Sequence, residues 1–325
     1  MFALVEITPW HWAGFIGCIL IFLALDLGVF HRRSSVVKFK EALGWSIIWG
    51  MLSLLFAALL VPLRGPQEAV EFVTGYVIEL TLSMDNVFAI ALVFAFFRVP
   101  AQYQHRVLFW GILGALVMRG ILILAGAALI QQFQWTLYLF GALVLFTGIK
   151  TLVTDSEGVA PEKNPIIRLA RKIFPVAPEL HGGKFLIHEG GRTLLTPLLL
   201  VLFSVETADL VFALDSIPSI FAVTTKPFIV FTSNIFAILG LRSLYFVLAG
   251  AIAYFRYLKT GISLILIFIG IKMLLAPRGP AGTPHHWFQM EIPTGWSLLV
   301  IAVIIAAFIL LSIGAERRER KAAQK

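Results

Sequence analysis

The stretches ELTLSMDNVFAI (Glu79–Ile90) and DLVFALDSIPSI (Asp209–Ile220) share a pattern: an acid, an aspartate six residues later, then a small polar residue, all inside a long apolar run. An acidic side chain at the centre of a bilayer costs roughly 2.5–3.5 kcal/mol on insertion scales, so it faces the protein interior and marks a functional position by default. The flanks of these stretches decide whether a bilayer is the right medium.

Working outward, nine apolar runs cover about 10–31, 41–62, 70–97, 107–131, 134–154, 193–223, 228–254, 258–276 and 294–315. A run of ~20 apolar residues crosses the ~30 Å hydrocarbon core as a helix. The spacing therefore predicts an all-α membrane protein with nine transmembrane helices, spans 1 to 9. Hydrophobic residues make up 59% of the chain and charged residues 14%, whereas soluble domains carry about a quarter charged. A water-facing surface of ordinary polarity cannot be built from this composition. Alternating ten-residue strands are absent, which excludes a membrane β-barrel. Helices then remain as the way to satisfy every backbone group in lipid. No Lys or Arg precedes the first run and no small-residue cleavage site follows it, so it is expected to be a span, not a cleavable signal. Cys18 is the single cysteine, which excludes an intrachain disulfide framework and a thiolate metal cage.

The net charge of +8 is arranged as a topology signal. Nineteen of the 26 Lys and Arg residues fall in the connections after spans 1, 3, 5 and 7 and in the C-terminal tail. Three, Arg64, Lys226 and Arg278, fall on the other side, and Arg119, Lys150, Arg242 and Lys272 lie within spans. Basic residues collect on the cytoplasmic side, so the N-terminus is expected outside and the C-terminus in the cytoplasm. The charge calls for a lipid bilayer, whose anionic face the basic tail can touch, and for no nucleic acid.

Three signals repeat. The acid-bearing stretches recur at an offset of 130 residues; Arg119 and Arg242, each followed by an apolar segment and Ala-Gly-Ala, recur at 123; FTGIKTLV (Phe146–Val153) and FIGIKMLL (Phe268–Leu275) recur at 122. A second register pairs DNVFAI with DLVFAL and yields the same unit. Residues 70–154 thus form one three-helix unit (spans 3–5), and 193–276 form the other (spans 6–8). The cytoplasmic connection 155–192 separates them, within a single transmembrane domain covering 1–325. Three is odd, so the second unit enters from the opposite side. The units are expected to be inverted repeats, an arrangement that places transporter sites near the midplane, on discontinuous helices.

Candidate ligands follow from the acids. Glu79, Asp85 and Asn86 lie on span 3; Glu206, Asp209, Asp215 and Ser216 lie on span 6; Asp26 lies near the cytoplasmic end of span 1, where an interfacial role and a pathway role are equally compatible with it. Glu206 and Asp209 share a helix face. Glu79 and Asp85, like Asp209 and Asp215, are about 240° apart on an ideal helix. Either these acids serve two places, or the helices unwind between them. Pro218 favours a break in span 6, because proline removes a helical hydrogen bond.

Asp26, Glu79, Asp85, Glu206, Asp209 and Asp215 against Arg119, Arg242, Lys150 and Lys272 leave two formal negative charges, enough for one divalent cation. The donors are oxygens, with Thr81, Ser83 and backbone carbonyls as further candidates, and oxygen sites suit Mg²⁺, Ca²⁺ or Mn²⁺. The histidines lie at span ends or in connections, and His285-His286 lacks a full ligand set. The blander alternative is structural ion pairing of the acids with Arg119 and Arg242. The arginines are also placed to do both jobs, holding a carboxylate while the site is empty and releasing it to the ion. Lys150 and Lys272, near helix ends, are placed to snorkel.

At LALDLGVF (Leu23–Phe30), LSMDNVFAIALVF (Leu82–Phe94), the segment from Val205 to Gly250 including DSIPSIFAVT and SNIFAILGLR, and FIGIKML (Phe268–Leu274), the chain resembles the TerC family of integral membrane proteins, most closely its Alx-type manganese exporters. The resemblance implies export of Mn²⁺ from a bacterial cytoplasm across the inner membrane. It carries motif roles to Asp85, Asn86, Glu206, Asp209, Asp215, Ser216 and Asn234; the residues between Glu79 and Asp85 depart from the Alx pattern.

The expected activity is therefore secondary transport of a divalent cation, most simply Mn²⁺, in exchange for protons. Mn²⁺ is the cargo, and no permanently bound cofactor is called for. No GxxxxGK[ST] motif is present, so an ion gradient is the expected energy source. An intramembrane aspartyl protease built on Asp85 and Asp215 lacks the Gly-x-Gly-Asp context of that class. A membrane scaffold or metal-insertion partner, docking through 155–192, is the remaining reading. The oligomeric state is not encoded in any motif.

Overall fold

The computed structural model describes residues 7–25, 39–133, 135–153, 165–189, 192–249, 257–276, 290 and 292–323. A helix overlaps each of the nine apolar runs: α1 (Pro9–Leu25), α2 (Phe39–Arg64), α3 (Pro66–Phe96), α4 (Ala101–Gln132) and α5 (Thr136–Val153), then α7 (Pro197–Phe221), α8 (Pro227–Ala249), α9 (Leu258–Leu275) and α10 (Thr294–Ala323). The connection expected at 155–192 carries α6 (Pro165–Ile173) and the strand β1 (Leu186–Glu189), whose antiparallel partner β2 (Arg192–Leu195) takes up the first residues expected in span 6. Seven helices, α2, α3, α4, α5, α7, α8 and α10, are long and apolar enough to cross a membrane, and α1 is a shorter apolar helix. The protein is a multi-pass, all-helical membrane protein.

α8 is the most enclosed of these helices; α2 and α10 are the most open. The open faces are apolar, as Leu54, Leu55 and Leu59 of α2 and Leu310 and Leu311 of α10 show. An exposed apolar stripe of this extent belongs against lipid. In lipid, apolar burial gives little drive for helix association, so close approach at small residues matters more. Among the described glycines, the closest approach of one helix backbone to another joins α5 to α9. A Cβ on Gly148 would lie 2.8 Å from the Ile267 backbone nitrogen, and one on Gly270 would lie 2.6 Å from that of Leu145. The contact is reciprocal: adding 122 to 148 and 145 gives 270 and 267. Gly148→Val and Gly270→Val are each expected to lower stability by about 1–3 kcal/mol, the usual cost of overpacking, with similar falls in Tm for the detergent-solubilised protein.

α3 and α7 run unbroken past all their acids. The break expected in span 6 is not found. Pro218 sits in the last turn of α7, where its missing N–H removes only one bond near the helix end. The Ser219 hydroxyl donates to the Asp215 carbonyl at 2.7 Å and steadies that turn. Between α2 and α3 stands only Gly65, with φ of 91°, followed by Pro66 at the first helical position. That conformation favours glycine, and proline suits the position after it; together they set α3 sharply back along α2.

Candidate functional site

Three helices converge on Arg119 of α4, which has no exposed surface. Its Nε and Nη2 donate to the two carboxylate oxygens of Asp209 on α7, at 3.1 and 2.8 Å. Nη1 bonds Glu79 of α3 in a second ion pair and lies 3.3 Å from both Ser216 Oγ and Asn234 Oδ1. Asn234 of α8 donates through Nδ2 to Glu79 Oε2 at 3.0 Å, and Asn86 donates to Asp209 Oδ1 at 3.3 Å. Ser83 donates to Glu79 Oε1 at 3.3 Å. The planar guanidinium fork suits this set, which a lysine could not match. Two carboxylates around one guanidinium leave a formal charge of −1.

Beside this cluster lies a cavity of about 50 Å³ between α3, α5, α7 and α9, above the ~10–15 Å³ that a water needs. Its wall includes Glu79, Asp85, Asn86, Asp215 and Ser216, together with Thr147 and Thr151. Thr147 Oγ1 donates to Asp215 Oδ1 at 2.9 Å. Asn86 Oδ1 is the one buried side-chain polar atom without a hydrogen-bond partner among the described residues. Such an orphan acceptor calls for an explanation, an ion or water being the commonest. A second cavity of about 20 Å³ lies towards the α4 N-terminus, lined by apolar residues with Asp209 and Arg242. Glu79 walls the first cavity and Asp209 the second, so the Arg119 ion pairs stand between them.

The predicted residues thus separate. Five of the seven candidate ligands line one cavity, Asp209 is clamped by Arg119, and Glu206 packs its carboxylate against Gly114 of α4. Neither Asp85 nor Glu206 receives a hydrogen bond from a described residue. Among the described residues, no three His, Cys, Asp or Glu side chains gather as a metal-ligand group. The unbroken helices explain this: six residues turn Glu79 towards Arg119 and leave Asp85 on the cavity. Arg242 Nη1 lies 3.3 Å from His105 Nε2 and faces the smaller cavity. Lys150 is exposed, whereas Lys272 does not snorkel: it is buried and donates to Ser297 Oγ on α10 at 2.8 Å. Thr81 bonds the Val77 carbonyl of its own helix. Asp26 and His285-His286 lie outside the described residues, as do residues 154–164 of the connection.

The profile of the integral membrane protein TerC family matches residues 64–321. The chain belongs to the TerC family. It is 50% identical over 306 residues to the membrane protein STKORF319 of Myxococcus xanthus, covering 94% of this chain and 92% of that one. It is 47% identical over 311 residues to a Salmonella typhi protein named as the membrane-bound redox modulator Alx, covering 93% and 95%. The protein of the same name in Escherichia coli strain K12 is 43% identical over 311 residues, again covering 93% and 95%. No solved structure matches. The TerC match spans every residue of the Arg119 cluster and of the cavity beside it.

Thr147 and Thr151 were not singled out from the sequence, although a signal was there. They are two of the positions where FTGIKTLV departs from FIGIKMLL, the second copy holding Ile269 and Met273. The copy that keeps the hydroxyls gives the cavity its polar wall, while α9 meets the same cavity with Ile262 and Leu266.

Proposed function

We propose that this TerC protein exports a divalent cation, Mn²⁺ by family resemblance, from a bacterial cytoplasm in exchange for protons. The observation that carries the reading is the cavity where Asp85, Asp215, Ser216 and the unpartnered Asn86 Oδ1 meet Glu79. These are hard oxygen donors of the kind Mn²⁺ and Mg²⁺ take. Arg119 acts as the internal cation that neutralises Glu79 and Asp209 while no substrate is bound. A cation entering the cavity competes for Glu79, loosens one ion pair and frees the wall between the two cavities to rearrange. Metal and proton compete for the same carboxylate oxygens, because a ligand must be deprotonated to bind; that competition is the basis for exchange.

The architecture proposed for this cycle has nine spans, with two inverted units at spans 3–5 and 6–8, the N-terminus outside and the C-terminus in the cytoplasm of the inner membrane. Its support is the reciprocal packing of Gly148 on Ile267 and Gly270 on Leu145, the relation expected of a two-fold axis between α5 and α9. The name of the Alx relatives speaks of redox modulation. With Cys18 as the only thiol, a redox effect of this chain is assigned to the metal it moves, not to a dithiol of its own.

Purified protein in proteoliposomes is expected to move Mn²⁺ along an imposed pH gradient, reported by a metal-sensitive dye inside the vesicles. No flux of Mn²⁺, Mg²⁺ or Ca²⁺ under any proton gradient would overturn the reading in favour of a scaffold or metal-insertion partner.

A further inference from the structure

We infer that Lys226 is a latch closing an outward route along the seam between α3 and α8, a reading that rests on the transport function and orientation proposed above. Lys226 lies in the short connection from α7 to α8. Its Nζ is 3.2 Å from Glu68 and 3.1 Å from Glu71, both on the first turns of α3. The lysine side chain is 44% exposed, while each glutamate side chain is 9% exposed. A half-wet ammonium group therefore caps two buried carboxylates. Arg64 bonds Glu68 at 2.8 and 2.9 Å, and Gln67 donates to Glu71 at 3.3 Å, so α2 and α3 hold the acids in place for the lysine to reach.

The seam beneath is continuous. Glu68, Glu71, Gly75 and Glu79 follow one another at helical spacing on a single face of α3. α8 answers with Ser233 and Asn234, both fully buried. A Cβ on Gly75 would come within 2.8 Å of Ser233 Oγ, so α3 and α8 meet closely there, one turn from Glu79. Asn234 then hands the polar line to Glu79 and Arg119. α7 and α8 carry Asp209, Ser216 and Asn234, and the connection joining them is fastened to α3 at Lys226. Any separation of α8 from α3 at this end must first break the Lys226 pairs. The design repeats the central one, with an acid pair held by a basic side chain from another helix.

The test uses the full chain in a Cys18→Ser background with Ser233→Cys as reporter. A membrane-impermeant methanethiosulfonate added from outside is expected to label Cys at this position slowly while Lys226 is present. Lys226→Gln is expected to raise the labelling rate by an order of magnitude, as is Glu68→Gln with Glu71→Gln. The charge exchange Lys226→Glu with Glu71→Lys is expected to restore protection. An unchanged rate in a Lys226→Gln protein that keeps its Tm and its Mn²⁺ flux overturns the latch and leaves the transport reading standing. Faster labelling in a protein that moves none of Mn²⁺, Mg²⁺ and Ca²⁺ upholds the Lys226 closure of the seam and removes the transport reading.

Discussion

Arg119→Leu is expected to cost about 3–5 kcal/mol of stability, the usual penalty for removing one partner of a buried ion pair. Two carboxylates, Glu79 and Asp209, would be left around an apolar side chain, and Ser216 and Asn234 would each lose a donor. In detergent this reads as a large fall in Tm or as loss of the monodisperse peak on size exclusion. Arg119→Lys keeps the charge but loses the bidentate grip on Asp209, and should fall between wild type and leucine. Neutralising the partners in the same chain, with Glu79→Gln and Asp209→Asn added to Arg119→Leu, should recover much of the fold without recovering transport. A single Arg119→Leu variant melting like wild type would show that the triad does not hold the helices together.

Asp85→Asn and Asp215→Asn should behave in the opposite way, with flux lost at low Mn²⁺ and fold kept. Asp85 receives no hydrogen bond from a described residue, and Asp215 accepts one from Thr147 that an asparagine oxygen can also accept. Removing one charged ligand from a divalent site is expected to lower apparent affinity on the order of 100-fold, ~2.8 kcal/mol at tenfold per 1.4. The two substitutions should also couple, since residues on one site are not additive. Initial Mn²⁺ uptake rates over a concentration series would show a raised half-saturation with little change in Tm. Wild-type flux in both variants would remove this cavity from the route.

The helices were legible because nine runs of the right length stand between charged connections, and a helix occurs in each. The Arg119 cluster was legible only in outline: acids and arginines in apolar surroundings must find partners, but ion pairing was the blander alternative, and nothing in the spacing said that Glu79 and Asp209 would be the acids to share Arg119. Its composition was not fully legible. Six-residue spacing on α3 admitted either a broken helix or two separate tasks, and only packing decides between them; Pro218 proved to lie too near the end of α7 to break it. The threonines of α5 were hidden because hydroxyls are common in apolar helices, and only comparison with the second copy sets them apart. Glu68 and Glu71 escaped notice because an acid in a first helical turn is ordinary; their burial under Lys226 is not. The hairpin at 186–195 was missed because four-residue strands give too few alternations to read.

The guanidinium seated between Glu79 and Asp209 also bears on which ions the protein can discriminate. A competitor fixed to the backbone cannot diffuse away, so it is present at a high effective concentration at all times. An incoming ion binds Glu79 only by outbidding it. Coulomb attraction scales with the product of the charges, so a monovalent ion meets the arginine on equal terms and a divalent ion meets it with twice the pull. In the proposed transport cycle Arg119 would thereby act as a valence filter: abundant Na⁺ and K⁺ would be turned away by charge, leaving size and ligand geometry to sort among divalent ions.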